Sequence, residues 1–319
     1  SALIIAHPPT PTREARLDAR FAPLDHESLL KISGADTLTF LQGQSTCDTR
    51  ELDTQRALPG LFCNPQGRAL ADFLLVQLDE ESVLLRLRRD IAQPTAATLG
   101  KYIAFSKAAL EHADHNWRVF GLWGGDAADA AAEHFGATPG TRYGVTVGDG
   151  FHLVQLDEAG TAFECLLHGN GAQLNRLVSE LPVGNTAEWD ALHIASGVAR
   201  LEAATAGEYI PQNLNYDLTG HISFTKGCYT GQEVVARLHY RGKSKRRVLL
   251  GNVSTEAPAP GSSLYAPDGT KVEGVVINAA TPGDGDSSML VCTSPDNLEQ
   301  GLVLEGTTAT VSLALPPYP

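Results

Sequence analysis

The chain has 319 residues, 43% hydrophobic and 19% charged, with a formal net charge of −13. That length exceeds what one hydrophobic core ordinarily organises, so two or three domains are expected. The acidic balance excludes sequence-independent nucleic-acid binding over the whole surface, and the short, interrupted apolar runs exclude a transmembrane helix.

Residues 1–24 are rich in Pro and Arg and read as an irregular arm; Leu3-Ile4-Ile5-Ala6 lacks the basic region and apolar length of a signal peptide. Leu29–Gly34 reads as a strand, followed by a helix over Ala35–Gln42 with Asp36 as its N-cap. Leu58–Phe62 is a short strand, Asn64-Pro65-Gln66-Gly67 a tight turn, and Ala69–Leu78 with Val83–Leu87 a hairpin. A helix is expected over Ile91–Leu99 and a strand within Tyr102–Leu110.

From Trp117 the pattern restarts: strand (Trp117–Trp123), alanine-rich helix (Asp126–Phe135), strands (Phe151–Leu156 and Phe163–Leu167) and helix (Asn170–Leu181). That order suits a small α/β sandwich of ferredoxin type. Glu188–Gly197 is helical and leads into a polar, irregular stretch over Gly207–Thr225, a type of loop that tends to carry function. Gln232–Tyr240 reads as one or two helical turns. Beyond Arg247, strand-like runs at Val248–Val253, Ser263–Tyr265, Lys271–Asn278, Met289–Cys292 and Thr308–Leu315 alternate with Pro/Gly turns, the pattern of a small β-barrel.

Five cysteines, at 47, 63, 165, 228 and 292, form no Cys-x-x-Cys pair. No locally built zinc or iron–sulfur site and no permanent metal are therefore expected, and a reducing, cytoplasmic setting fits best. Cys228 stands out because it lies between Gly227 and Gly231, beside Lys226 and ahead of a helix. Positive charge and unpaired backbone N–H groups stabilise a thiolate, so Cys228 and Lys226 are the candidate reactive pair; the plainer alternative is a buried structural thiol in a glycine turn. His221 and His239 are close in sequence, but neither spacing matches a cysteine hydrolase. Gly121-Leu-Trp-Gly-Gly125 follows a strand but lacks the dinucleotide fingerprint.

Asp72 and Glu202 are acids set among apolar neighbours, where a carboxylate either pairs with a cation or accepts N–H donors from a ligand. A 2-amino-4-oxo-pteridine offers two such donors. The plainer readings are salt bridges, Asp72 to Arg68 and Glu202 to Arg200. Lys226, Arg237, Arg241, Lys243, Lys245, Arg246 and Arg247 place seven of the 24 basic residues within 22 positions, either an anion site or a solvated loop.

These stretches converge. Lys226-Gly-Cys-Tyr-Thr-Gly-Gln-Glu233 resembles the signature of the YgfZ family of folate-binding proteins, relatives of the aminomethyltransferase (T-protein) of the glycine cleavage system. The likeness extends to Ile32-Ser-Gly-Ala-Asp36 with Phe40-Leu-Gln-Gly-Gln44, Thr46 and Asp48, and to Asn64-Pro-Gln-Gly-Arg68 with Asp72-Phe73. It continues in Lys101-Tyr102-Ile103 with Phe105-Ser106-Lys107, and in Ile210-Pro-Gln-Asn-Leu-Asn215.

The resemblance implies an α+β fold of three domains around a central cleft. These are a discontinuous α/β folate-binding domain (1–112 plus 188–243), a ferredoxin-like domain (113–187) and a C-terminal β-barrel (244–319). It implies tetrahydrofolate or a derivative as ligand, and a role in assembly or repair of iron–sulfur enzymes, including tRNA-modifying ones. Arg200-Leu-Glu202-Ala resembles the T-protein segment whose glutamate holds the pterin, which makes Glu202 the pterin acceptor, with Asp72, Arg200 and Tyr229 beside it. Cys228 is expected at the cleft, with its use as cluster ligand, redox thiol or nucleophile open. The basic run, through Arg241, Lys243, Lys245, Arg246 and Arg247, could meet the folate glutamyl tail, RNA such as tRNA, or a protein. T-proteins carry paired aspartates where this chain has Ala71-Asp72, and they lack the Lys-Gly-Cys motif. That departure weakens the alternative reading as a one-carbon (aminomethyl) transferase.

Overall fold

The computed structural model describes residues 18–169, 172–283 and 285–318. The sequence reading of 1–17 and of the helix start at Asn170 lies outside these residues. Strands β1 (Arg20–Pro23), β2 (Glu27–Ser33), β3 (Leu58–Cys63), β4 (Ala69–Gln77), β5 (Ser82–Arg88), β6 (Ala109–His112) and β7 (Trp117–Trp123) come first, then β8 (Val145–Gly148), β9 (Phe151–Gln155) and β10 (Ala162–His168). They form two five-stranded antiparallel sheets, ordered β3-β4-β5-β2-β6 and β1-β7-β10-β9-β8. Strands β11 (Arg247–Val253), β12 (Ser263–Tyr265), β13 (Lys271–Ala280), β14 (Ser287–Thr293), β15 (Leu302–Leu304) and β16 (Thr310–Ala314) close a six-stranded barrel.

Alternation along each strand decides which face meets which layer. On β4 and β5, Ala71, Phe73, Leu75, Val83, Leu85 and Leu87 point to a core shared with helix α2 (Arg89–Ile103) and with barrel residues Val248, Ile277 and Leu290. The intervening residues Leu74, Val76 and Leu84 face the second sheet, meeting Val119, Trp123, Val154 and Leu166. The far face of the second sheet is covered by helices α3 (Ala127–Phe135) and α4 (Ala172–Glu180), through Ala127, Ala131, Phe135 and Leu177.

The structure corrects the sequence reading in places. Arg20–Pro23 is no irregular arm but an edge strand paired with β7. Helix α2 continues to Ile103, because Leu99 and Ile103 prolong its buried face, so of the expected strand Tyr102–Leu110 only Ala109 and Leu110 pair with β2, within β6 (Ala109–His112). Helix α1 (Thr37–Gln44) has no side-chain cap; the Asp36 carboxylate accepts the Lys107 backbone N–H at 2.8 Å instead. The short strands β8 and β15 carried no alternation long enough to read. Gly121 and Gly124 are needed for close packing within the protein: a Cβ on Gly121 would lie 2.7 Å from the Trp189 ring, and Gly124 lies against the Asp18 backbone.

Candidate functional site

Two further helices complete the chain: α5 (Thr186–Ala195) and α6 (Gln232–Arg241). The loop bearing Cys228 sits in a socket built from the end of α1. The Lys226 Nζ donates to the carbonyls of Gln42, Ser45 and Cys47 at 2.7, 2.6 and 2.7 Å, and lies 5.3 Å from the Tyr229 ring centroid. Three carbonyls converging on one ammonium satisfy all its donors. Burial pushes Lys226 down to about 8, against the pull of Cys47 and Asp48. Thr46 ties the same socket together, its hydroxyl donating to the His221 carbonyl at 2.6 Å and accepting the Leu61 N–H at 2.9 Å. Asp48 accepts from Gln42 and Arg50 and so shapes the turn after α1; the Arg50 hydrogen bond holds its carboxyl well below the usual range.

The other side of the loop rests on the Asn64–Arg68 turn. Gly231 (φ +83°) and Gly67 (φ +72°) meet there in left-handed conformations that glycine adopts without penalty, and a Cβ on Gly67 would fall 2.7 Å from Val234 Cβ. Three motifs widely separated in the chain thus form one housing. Cys228 is exposed, whereas Cys47, Cys63, Cys165 and Cys292 are buried. Burial raises those four thiols, Cys63 and Cys292 to about 12, and so keeps them protonated. The Lys226 ammonium is directed at carbonyl oxygens that anchor the loop. Tyr229 is buried beneath that loop.

The acids cluster elsewhere, in the layer between the two sheets. Glu27 and Arg88 face each other across β2 and β5, and the same alternation puts Arg86, Asp72 and Glu164 on this inner face. Arg200 binds both oxygens of Glu27, at 2.9 Å each, and donates through Nε to Asp72 at 2.7 Å. Arg86 pairs with Glu164 at 2.7 Å and Arg88 with Asp190 at 3.0 Å. Burial alone would raise Glu27, but Arg200, Arg86 and Arg88 together hold it well below the usual carboxylate range. Asp72 also accepts the Leu201 N–H at 2.6 Å, so its partner is Arg200 and not Arg68, whose guanidinium donates to the Glu208 carbonyl. Asn278 of the barrel bonds the Arg200 backbone and donates to Glu202 Oε1 at 2.9 Å, so the first sheet and the barrel meet at Arg200.

Two cavities abut here, both lined by His193, Val198 and Arg200. One, about 200 Å³, presents Phe73, Tyr143, Trp189 and Asp72. The other, about 480 Å³, presents Arg88, Asp190, Glu202 and Asn278. The buried atoms Arg142 Nε, Trp189 Nε1, His193 Nε2 and Arg88 Nε reach no protein partner among the described residues. Unsatisfied donors around an aromatic cavity suit a flat, polar-edged ligand. Glu202 is raised by burial, with Arg88 opposing, and its second oxygen receives no hydrogen bond from the described residues. Cys228, Lys226 and Tyr229 line neither of these two cavities. Trp189, His193, Arg142 and Tyr143 escaped the sequence reading; the left-handed Tyr143 (φ +61°) is strained backbone of the kind that gathers at functional sites, but no local pattern announces it.

Residues 12–140 match the GCVT N-terminal domain family. The chain is 31% identical over 317 residues to the tRNA-modifying protein YgfZ of Escherichia coli O157:H7, covering 98% of this chain and 96% of that protein. The chain belongs to the YgfZ family. A second YgfZ, from Shigella boydii serotype 4, is 31% identical over 91% of this chain and 90% of its own length. The glycine cleavage system aminomethyltransferase T from Bartonella henselae shares the fold, with a TM-score of 0.72 and 17% identity over 95% of this chain and 88% of that one. The YgfZ family membership and this likeness establish the GcvT-like α+β fold with its C-terminal barrel. No helix among the described residues is long and apolar enough to cross a membrane.

Proposed function

We propose that this protein is a tetrahydrofolate-binding accessory factor that supports assembly or repair of iron–sulfur enzymes, including those that modify tRNA, with Cys228 as its working thiol. The observation that carries the reading is the exposed Cys228 in a housing made by three motifs, while the other four thiols are buried. An outward-facing thiol suits a macromolecular partner, and the name of the Escherichia coli relative supports a tie to tRNA modification.

The residues fit a folate. Glu202, oriented by Asn278, would accept the paired N–H donors of the pterin, and Trp189, His193 and Arg142 bring buried polar atoms without protein partners. Folate bound there would supply one-carbon chemistry or a structural signal of its occupancy. Aminomethyl transfer is disfavoured because both Asp72 oxygens are engaged, one by Arg200 and one by the Leu201 N–H. Arg200 itself holds that acid in place rather than facing a ligand with free donors.

Complementation of a strain lacking its own YgfZ, read as activity of an iron–sulfur tRNA-modifying enzyme, tests the reading. Cys228→Ala should keep fold and folate affinity and lose complementation; full complementation by that variant would sink the role given to the thiol. Glu202→Gln should weaken folate binding in calorimetry. Asp72-dependent formation of methylene-tetrahydrofolate from an aminomethyl donor would favour the transferase instead.

A further inference from the structure

We infer that the end of α6 and the connector to β11 form a single-stranded RNA-binding surface, with bases stacking on His239 and Tyr240 inside a basic rim. The inference does not depend on folate binding. The structure sets two of the seven clustered cations apart. Lys226 is buried in its carbonyl socket, and Arg247 is held by Asp217 at 2.6 Å and by the Gln212 carbonyl. Arg237, Arg241, Lys243 and Lys245 are exposed, and none of them has an ion-pair partner among the described residues. Four unneutralised cations on a chain of net charge −13 make a local site for a polyanion, not a general one.

Aromatic geometry narrows the polyanion. His239 stacks on Phe224 with ring centroids 3.6 Å apart and planes 10° from parallel, and Tyr240 stands edge-on to His239 at 4.8 Å. The Tyr240 hydroxyl reaches the Phe224 carbonyl at 3.4 Å, which fixes the ring although it is 67% exposed. Exposed aromatic planes held in advance, next to cations, match a polymer that offers base faces and phosphates in turn. A duplex hides its base faces, and an acidic peptide has none. The acid of the helix, Glu233, lies in its first turn, at the opposite end from this platform.

Fluorescence anisotropy on the full chain, with a labelled mixed-sequence RNA of about 12 nucleotides and the matching duplex, decides the matter. Single strand should bind in preference to duplex at about 50 mM salt and weaken steeply by about 200 mM. Tyr240→Ala and His239→Ala should each weaken binding roughly tenfold, while Tyr240→Phe, which keeps the ring but drops its tie to Phe224, should lose clearly less than Tyr240→Ala. Neutralising Arg241, Lys243 and Lys245 together to Gln should lower the slope of log affinity against log salt by roughly 2. Absence of binding at the lower salt, equal affinity for duplex, or a Tyr240→Ala variant that binds unchanged would each overturn the inference. Polyglutamate competing as well as RNA would do the same, by assigning the surface to an acidic protein. Thermal unfolding of each variant, expected to match the parent, separates lost contact from lost fold, and folate affinity should be unaffected throughout.

Discussion

Arg200 and Glu27, 173 positions apart, form a two-pronged ion pair with both N–O distances at 2.9 Å and both side chains buried. Because Arg200 also binds Asp72 and its backbone binds Asn278, this pair fastens the first sheet to the barrel. Removing one partner leaves an uncompensated buried charge, so Glu27→Ala should destabilise by about 3–5 kcal/mol. Urea unfolding followed by fluorescence measures it, and a loss under about 1 kcal/mol would show the network to be dispensable.

Thiol chemistry should be as uneven as thiol exposure. In the native state a maleimide should label Cys228 rapidly and leave the four buried cysteines untouched, with all five labelled in denaturant. Mass spectrometry of the intact protein gives the count. Rapid native labelling of Cys228→Ala would contradict the burial of the others.

Lys226 holds the loop, so Lys226→Met should orphan three carbonyls and cost about 3 kcal/mol, with faster hydrogen exchange over 224–231. Gly231→Ala should disturb the same loop through its φ of +83° and the nearby Asn64 carbonyl. Unchanged exchange in both variants would show the socket to be incidental.

Stability should fall in mild acid. His221 is pushed down to about 3 and His152 to about 4, both by burial. The unfolded chain therefore binds more protons than the folded one between the ordinary histidine value, about 6.5, and those depressed values. Stability contributed by the neutral rings is whole above about 6.5 and is lost as pH drops through that window. His221→Asn should flatten the fall without abolishing it, since His152 remains; an unaltered profile of unfolding free energy against pH would refute the assignment.

Much of the fold was legible because its signals are local. Short, nearly continuous apolar runs at Ala69–Leu78 and Val83–Leu87 announced β4 and β5, and the Asn64–Gly67 turn chemistry located the bend between β3 and β4. The barrel followed from short runs parted by Pro and Gly. Strands of three or four residues, β8 and β15, offered too little pattern, and the C-terminal limit of α2 depended on what Ile103 could bury.

The site divided in the same way. The sequence by itself determined that Cys228 lies in a glycine loop before a helix, that Asp72 and Glu202 are acids in apolar surroundings, and that cations crowd after Gln232. Only the tertiary structure decided what each one touches. Lys226 reaches the carbonyls of Gln42, Ser45 and Cys47, and Asp72 pairs with Arg200, 128 positions away, and not with Arg68. Trp189 and His193 joined the cavity although nothing in their own helix marks them. Backbone periodicity and turn geometry are fixed by neighbours in the chain. The partner of a buried charge is fixed by which strands lie side by side, and that is a property of the whole fold.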